Sequence, residues 1–349
     1  MGNKVTIKTI AERCNVSQVT VSRVIANNPN VSQKTRNQVL TAMRDMGYRS
    51  AKSELPDEST AGRYVLLMTE DITRNSTGIL QCIAGYLKER GYLSLFCETG
   101  HQAAYVREYY DSLISSNMIL GVVAISIQGA RANLSDIAEH YRDIPMVVVH
   151  WCEAWSKVDS VIIDSYHSAY SAVRMLAKMG HVHIALLNSP PDCSGSYEER
   201  KGFLAAMEEC GLTTDKRYIF STNLKKSDSV IIAKKLATTM MEVTAVMTAT
   251  KELAIGLINE LEALGRRVPE DVSVIAFDIV DDSFQDKSLT RVGAKFSEAG
   301  IAAAKLILER IIEQRENHGR SPTVKKVVLE PQVFQGSTVQ PPKNEKGHN

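Results

Sequence analysis

The sequence lacks both an apolar run of the roughly 18 residues that a membrane-spanning helix needs and any paired cysteine motif. No membrane span is therefore expected. The N-terminus is polar, so no secretory signal is expected either. Six cysteines are scattered through 349 residues without CxxC spacing, which indicates reduced thiols rather than a disulfide framework or a metal centre. These absences favour a cytoplasmic protein that holds no metal ion.

Motifs that mark common enzymes are also missing. No glycine-rich GxGxxG segment, phosphate-binding GxxxxGK[ST] loop or GxSxG nucleophile motif stands where a strand meets a helix. The eight histidines are dispersed, and His181 and His183, at the start of a predicted strand, are interpreted as structural. The sequence therefore predicts no enzymatic activity and no cofactor.

Net charge is nearly balanced overall but unevenly distributed. The first 50 residues contain eight basic and two acidic residues, a net charge of +6, whereas the whole chain carries +1, which leaves −5 for the remainder. A basic head on a mildly acidic body fits a phosphate-binding module joined to a part that does not bind nucleic acid. The alternative is a small helical subdomain with a solvated basic face.

Within this basic head, residues 1–50, the pattern predicts three short helices. Ile7, Ile10 and Ala11 recur at helical spacing, a turn follows at 15–17, and Ser17 can cap a second helix. Ser32 is the corresponding cap of a third helix. Three short helices, the second with a polar face directly after its cap, form the helix-turn-helix pattern that enters the DNA major groove. The exposed positions of the second helix are Gln18, Val19, Thr20, Ser22 and Arg23.

This segment resembles the DNA-binding head of the lactose/galactose repressor (LacI/GalR) family of bacterial transcriptional regulators. The resemblance implies that Gln18, Val19 and Arg23 read base edges. Arginine can fork onto guanine, glutamine can pair with adenine, and valine offers a methyl contact to thymine. For each of them the alternative is a phosphate contact or simple exposure. The matching positions are Thr6, Ile10-Ala11, Val16-Ser17, Thr20 to Val24, Val31-Ser32, Thr35-Arg36 and Gly47-Tyr48. The resemblance assigns Ser17, Thr20 and Ser22 to phosphates, and the DNA-binding set is completed by Thr6, Asn30, Ser32, Thr35 and Tyr48.

After a linker at residues 51–62, apolar strands alternate with amphipathic helices. Continuous apolar strands in such alternation predict parallel sheets covered on both faces, and two series of them predict two doubly wound lobes. The first lobe is predicted to comprise residues 63–160 with about 290–320, and the second 161–289 with about 321–338. Residues 339–349 are predicted to be a disordered tail. The fold class is thus a small all-α head plus an α/β core, and the resemblance implies the two-lobed core of periplasmic binding proteins, with three crossings between lobes.

The linker departs from the family pattern. Family members have Pro-Asn shortly after the tyrosine and then a hinge helix that inserts leucine into the minor groove. Here Tyr48 is followed by neither residue, Pro56 interrupts a helix, and Asp57 holds the usual leucine position. Insertion of a hinge helix is therefore not expected, and Leu55 as a shifted wedge is the alternative.

The ligand cleft that the resemblance implies, at the carboxyl ends of the strands, departs as well. Glu199 stands where the family has a clamping arginine, Arg200 follows one residue late, and Lys251 replaces an Asp or Asn. This exchange indicates a charged effector such as an amino sugar; the alternative is a solvent-exposed pair without ligand contact. Asp278 is retained and can accept hydrogen bonds from ligand hydroxyls or amines. The other candidate effector-binding residues are Asp71, Thr77, His150 and Trp151.

These observations predict a transcriptional regulator that binds double-stranded operator DNA, and the family resemblance favours a repressor over an activator. Two heads of a homodimer would meet a pseudo-palindromic operator, and a small sugar or sugar-like metabolite in the cleft would shift the equilibrium between two states of the core. The alternatives are a solute-binding protein of transport and a Rossmann-like enzyme.

Overall fold

In a computed structural model, the chain forms two compact units, residues 1–56 and 57–349, each treated by itself below. The structure describes residues 6–25, 28, 30–46, 63–70, 72, 74–100, 108, 112–113, 118–125, 144–150, 158–190, 195–278, 288–316 and 323–343. The linker 51–62 lies outside these residues, so the statements on a hinge helix stay predictions.

The head consists of α1 (Ile7–Cys14), α2 (Gln18–Ile25) and α3 (Gln33–Asp45). Their apolar stripes meet in one small core of Ile10, Val21, Val24, Val39 and Met43. The helices begin where short hydroxyl side chains satisfy free backbone N–H groups. Thr6 forms a capping box with Thr9, and the hydroxyls of Ser17 and Ser32 accept from Thr20 N–H and Thr35 N–H. The left-handed Asn15 ends α1, as the predicted turn requires.

The first sheet of the core is built from β1 (Tyr64–Thr69), β2 (Leu93–Glu98), β3 (Ile119–Ile125), β4 (Met146–His150), β5 (Asp159–Ile163) and β11 (Lys326–Leu329). All neighbours are parallel, in the order β11-β5-β4-β3-β1-β2. The helices α4 (Arg74–Glu89) and α9 (Phe296–Glu316) cover one face, where Ile83, Leu87 and Ile307 pack on Val123 and Val149.

The second sheet is built from β6 (Ile184–Asn188), β7 (Ile219–Ser221), β8 (Ala245–Thr248), β9 (Ser273–Phe277), β10 (Thr290–Gly293) and β12 (Gln332–Phe334). Its order is β12-β10-β9-β8-β6-β7, with only the edge strand β12 antiparallel. The helices α5 (Ser165–Lys178) and α6 (Ser196–Glu209) pack on one face, and α7 (Lys226–Thr238) and α8 (Lys251–Ala263) on the other. A one-turn 3-10 helix, Lys216–Tyr218, precedes β7. The prediction of two doubly wound lobes is therefore confirmed.

The predicted lobe boundaries need correction at three strands. Strand β5 lies wholly in the first sheet, so that lobe continues to Ile163 and not to residue 160. Strand β10 pairs with β9 in the second sheet, although 290–320 was predicted for the first lobe, and β11 pairs with β5 in the first sheet, although 321–338 was predicted for the second. The chain thus crosses after Ile163, Gly293 and Leu329. Apolar periodicity identifies a strand but not its hydrogen-bonding partner, which alone decides the sheet.

The predicted disordered tail is also wrong for residues 339–343. Val339 is buried, and the carbonyl of Gln340 accepts from the hydroxyl of Ser273 and contacts Nε2 of His181 at 2.9 Å. Burial lowers the pKa of His181, which favours the neutral ring. Lys343 pairs with Asp271 at 2.6 Å. Polar composition indicated disorder because it does not show which backbone groups find partners. Residues 344–349 lie outside the described residues.

Candidate DNA-binding face and effector site

The second helix of the head presents its polar positions to solvent. Val21 and Val24 are buried in the head core, whereas Gln18, Ser22 and Arg23 are exposed. Val19 is also exposed, with 59% of its surface accessible. Thr20 is half-buried, with its hydroxyl 2.8 Å from that of Ser17. Arg23 can therefore donate two hydrogen bonds to a base edge, Gln18 can offer its side-chain amide, and Val19 can offer a methyl group.

The remaining candidate DNA contacts lie at the head's helix starts and loop. The hydroxyl of Thr6 is engaged in the cap of α1, and that of Ser32 lies 2.8 Å from the hydroxyl of Thr35. Asn30 is exposed, and its N–H donates to the side chain of Asn28. A helix start collects N–H groups and a positive dipole end, so these positions suit phosphate contacts. Tyr48 lies outside the described residues.

Replacement of Ser17 by alanine is expected to destabilise α2 locally, by about 1 kcal/mol. The hydroxyl of Ser17 accepts from the N–H of Thr20 at 3.0 Å, and alanine leaves that donor without its partner. Amide hydrogen exchange across Gln18–Ile25 of the full chain should accelerate roughly fivefold. Ser22→Ala, an exposed serine within the same helix, serves as the control, and equal acceleration in both variants would contradict the capping role.

The candidate effector residues of the second lobe follow three neighbouring parallel strands. Asn188 ends β6, Lys251 opens α8 shortly after β8, and Asp278 directly follows β9. Because β6, β8 and β9 are parallel, their carboxyl ends meet at one edge of the sheet. In doubly wound sheets ligands bind at that edge. Glu199 joins this edge from the first turn of α6, which follows β6.

Glu199 is buried, with 4% of its surface exposed. Burial raises the pKa of Glu199 to about 7, although hydrogen bonds from the backbone and the hydroxyl of Ser189 act in the opposite direction. The interpretation of Glu199 and Lys251 as a solvent-exposed pair is therefore wrong for Glu199.

Three further residues next to Glu199 were not predicted from the sequence. The amide nitrogen of Asn188 donates to the carbonyl and the hydroxyl of Ser196, both at 3.0 Å, and the hydroxyl of Ser196 donates to the carbonyl of Ser189 at 2.9 Å. Asn188, Ser189, Ser196 and Glu199 form one buried polar network, called the β6–α6 junction below. Its only signal in the sequence is an Asn-Ser pair at the carboxyl end of an apolar strand.

The other predicted effector residues have different environments. Asp278 is buried, and its carboxylate lies 3.9 Å from the guanidinium of Arg291, a neighbour that sequence reasoning also missed. Lys251 is half-buried, and Arg200 is exposed. Thr77 is half-buried on α4. His150 ends β4, but its side chain, like Asp71 and Trp151, lies outside the described residues.

Two features are absent from the described residues, a membrane-spanning helix and a cluster of metal ligands. No helix in that part of the chain combines the length and apolarity needed to cross a bilayer. No three His, Cys, Asp or Glu side chains within the same part come together as metal ligands.

A helix-turn-helix head joined to two doubly wound lobes defines the class of two-domain DNA-binding regulators, and comparisons with known proteins agree. The model of bacterial regulatory proteins, lacI family, matches residues 6–50, and that of the periplasmic binding protein-like domain matches residues 173–339. The head is thus a lacI-family DNA-binding domain, and the core contains a periplasmic binding protein-like domain.

Relatives and solved structures extend this likeness over most of the chain. The HTH-type transcriptional repressor PurR of Vibrio cholerae serotype O1 (strain M66-2) is 29% identical over 308 residues, 88% of this chain and 91% of the relative. PurR of Vibrio vulnificus (strain CMCP6) is 27% identical over 314 residues, 89% of this chain and 93% of the relative. The transcriptional regulator CelR in complex with cellobiose is 23% identical and superposes with a TM-score of 0.64, covering 96% of this chain and all of that one.

Proposed function

We propose that this protein is a transcriptional repressor that binds operator DNA through α2 and responds to a small effector held at the carboxyl ends of the core strands. The exposed polar face of α2 carries the proposal, because Gln18, Val19 and Arg23 project from a helix whose opposite side is fixed in the head core. The similar PurR proteins bear the name of repressors. We infer the cytoplasm as its location, where DNA is accessible, and no enzymatic activity.

The DNA-binding set comprises one helix face and the helix starts around it. Gln18, Val19 and Arg23 are assigned to base edges, and Ser17, Thr20 and Ser22 to phosphates. Thr6, Asn30, Ser32, Thr35 and Tyr48 complete the set. A homodimer that binds a pseudo-palindromic site would double this surface, as in the solved lac repressor dimer bound to operator.

A salt series distinguishes this function from that of a solute-binding transport protein. Full-length protein is mixed with genomic DNA fragments, and bound fragments are recovered and sequenced. Affinity for the enriched site should fall steeply as salt rises, since lysine and arginine contacts release counterions from phosphates. The basic head, with its net charge of +6 over residues 1–50, supports this expectation. Binding that is absent, or indifferent to salt, would refute the proposal.

Replacement of Arg23 by alanine is expected to weaken binding to the selected site by about 1–3 kcal/mol and to relax specificity at one base pair. The exposed guanidinium is placed to fork onto guanine. Affinity is measured by gel shift across all single-base variants of the site. Arg174→Ala, which removes an exposed arginine from the core helix α5, is the matched control and should leave DNA binding unchanged. A uniform loss across all sites would make Arg23 a phosphate contact instead.

For the effector, we propose a cleft lined by Glu199, Lys251 and Asp278 of the second lobe. Asp71, Thr77, His150, Trp151 and Arg200 complete the proposed set. The regulator CelR was solved with cellobiose, and a lacI-family regulator of Enterococcus faecium with ribose, which supports a sugar or sugar-like metabolite as the broad class. A ligand alters repression only if it binds the two states of the core with different affinities.

A further inference from the structure

The β6–α6 junction contains two buried acceptor atoms without a hydrogen-bond donor among the described residues. These are Oε2 of Glu199 and Oδ1 of Asn188. The two side chains are 4% and 6% exposed. A buried acceptor left unsatisfied costs about 1–3 kcal/mol, and more for a charged group. Two such atoms in one small network therefore call for a physical reason.

The donors inside the junction are already in use. Both amide hydrogens of Asn188 are directed to Ser196, and the hydroxyl of Ser196 donates to the carbonyl of Ser189. The backbone and the hydroxyl of Ser189 act on the carboxyl of Glu199 and partly offset the effect of burial on its pKa. The N–H of Glu199 itself donates to the carbonyl of Gly195 within α6. When Glu199 is ionised, the two remaining acceptors thus need donors from outside this network.

We propose that the effector carries a cationic amine or amidine group that donates hydrogen bonds to Glu199 Oε2 and Asn188 Oδ1. This inference rests on the proposed function and specifies its ligand class. An ammonium or amidinium offers two or more N–H donors together with a positive charge, which matches one carboxylate oxygen and one amide oxygen. The junction lies at the carboxyl edge of the second sheet, where doubly wound folds bind ligands.

A neutral sugar satisfies this arrangement less well. A hydroxyl donates only one hydrogen and leaves the charge of a buried carboxylate uncompensated, whereas buried charges are normally paired. The carboxyl ends of other strands add acidic groups, with Glu70 buried after β1 and Asp278 after β9. An anionic ligand is disfavoured for the same reason, because its charge would meet that of Glu199 in the first turn of α6.

Matched pairs of small probes test the ligand class directly. Binding to the full-length protein is measured by isothermal titration for glucosamine and glucose, galactosamine and galactose, putrescine and butanediol, and benzamidine and benzamide. Each pair differs in the cationic nitrogen. A buffer of about pH 8 keeps a carboxyl with a raised pKa largely ionised. At least one cationic member should bind, with its neutral counterpart tenfold or more weaker. Equal binding within every pair, or no binding by any of the four cations, would overturn the proposal.

Glu199→Gln assigns the binding to this carboxyl. The substitution keeps the shape of the side chain and removes its charge, so affinity for the bound cation should fall on the order of 30-fold or more. Glu198→Gln makes the same change at the preceding, half-buried position and should alter affinity less than twofold. Equal losses in both variants would show a general charge effect and refute the contact. Salt-sensitive DNA binding, measured on the same preparations, separates this failure from failure of the proposed function.

Discussion

Replacement of Asp159 by alanine is expected to lower the free energy of unfolding of the core by about 3–5 kcal/mol. The carboxylate of Asp159 accepts from Nε and Nη2 of Arg310 at 2.5 and 2.8 Å and from the backbone N–H of Lys325 at 2.7 Å. It therefore joins the start of β5, the helix α9 and the chain that leads into β11. Alanine would leave the guanidinium of Arg310, 4% exposed, without its forked partner.

Urea unfolding of the full chain measures this change, with the core transition analysed separately from that of the head. Glu309→Ala is the control on the same helix, because Glu309 is half exposed and pairs only with the ammonium of Lys325 in the described part of the network. Its loss should cost no more than about 1 kcal/mol. If Asp159→Ala lowered the free energy of unfolding by no more than this control, the buried ion pair of Asp159 and Arg310 would not stabilise the core.

The contacts of Asp159 with Arg310 and Lys325 also show which features of the fold could not be predicted from the sequence. Helix and strand positions in the core follow from local apolar periodicity, and the head follows from three hydroxyl caps and one turn. The partner of a strand is not a local property. Strand β5 pairs with β4 and β11, and Asp159 finds Arg310, 151 positions later in the chain. Neither the pairing of β5 nor the contact between Asp159 and Arg310 can be predicted from the neighbouring residues in the sequence.

The candidate site was predictable in location but not in environment. Glu199, Lys251 and Asp278 were identified because the family resemblance fixed their positions. Charged residues are mostly exposed, so the burial of Glu199 was not expected. Its buried polar neighbours are indicated in the sequence only by a polar pair that follows an apolar strand. Local rules that fail in this way are expected at functional sites.

Replacement of Glu199 by glutamine is expected to stabilise the core at pH 8 by up to about 3 kcal/mol and to leave it nearly unchanged at about pH 4–5. The pKa of this carboxyl is raised from 4.5 to about 7 in the folded protein because it is buried. Between these two values the folded state retains a proton that the unfolded chain has released. The stability contributed by the protonated carboxyl is thus fully present below the unfolded pKa and is lost as pH rises through the folded pKa.

Urea unfolding of the ligand-free protein at several pH values from about 4 to 8 tests the sign of this linkage. The difference between variant and wild type should grow as pH rises toward 7 and then level off. Glu198→Gln controls for the loss of one negative charge in the first turn of α6, because Glu198 is only half-buried. Curves that run parallel at all pH values would contradict a buried Glu199 with a raised pKa.

The same substitution is thus expected to act in opposite directions on stability and on binding. Without ligand, the ionised carboxyl of Glu199 is a cost to the fold, and glutamine removes it. With a cationic ligand, that carboxylate becomes the partner of the bound charge, and glutamine weakens the complex. A residue with only a structural role would not separate the two effects, because a better-packed junction would leave affinity unchanged or improve it. Greater stability together with weaker cation binding in Glu199→Gln therefore distinguishes a ligand contact from a structural carboxyl.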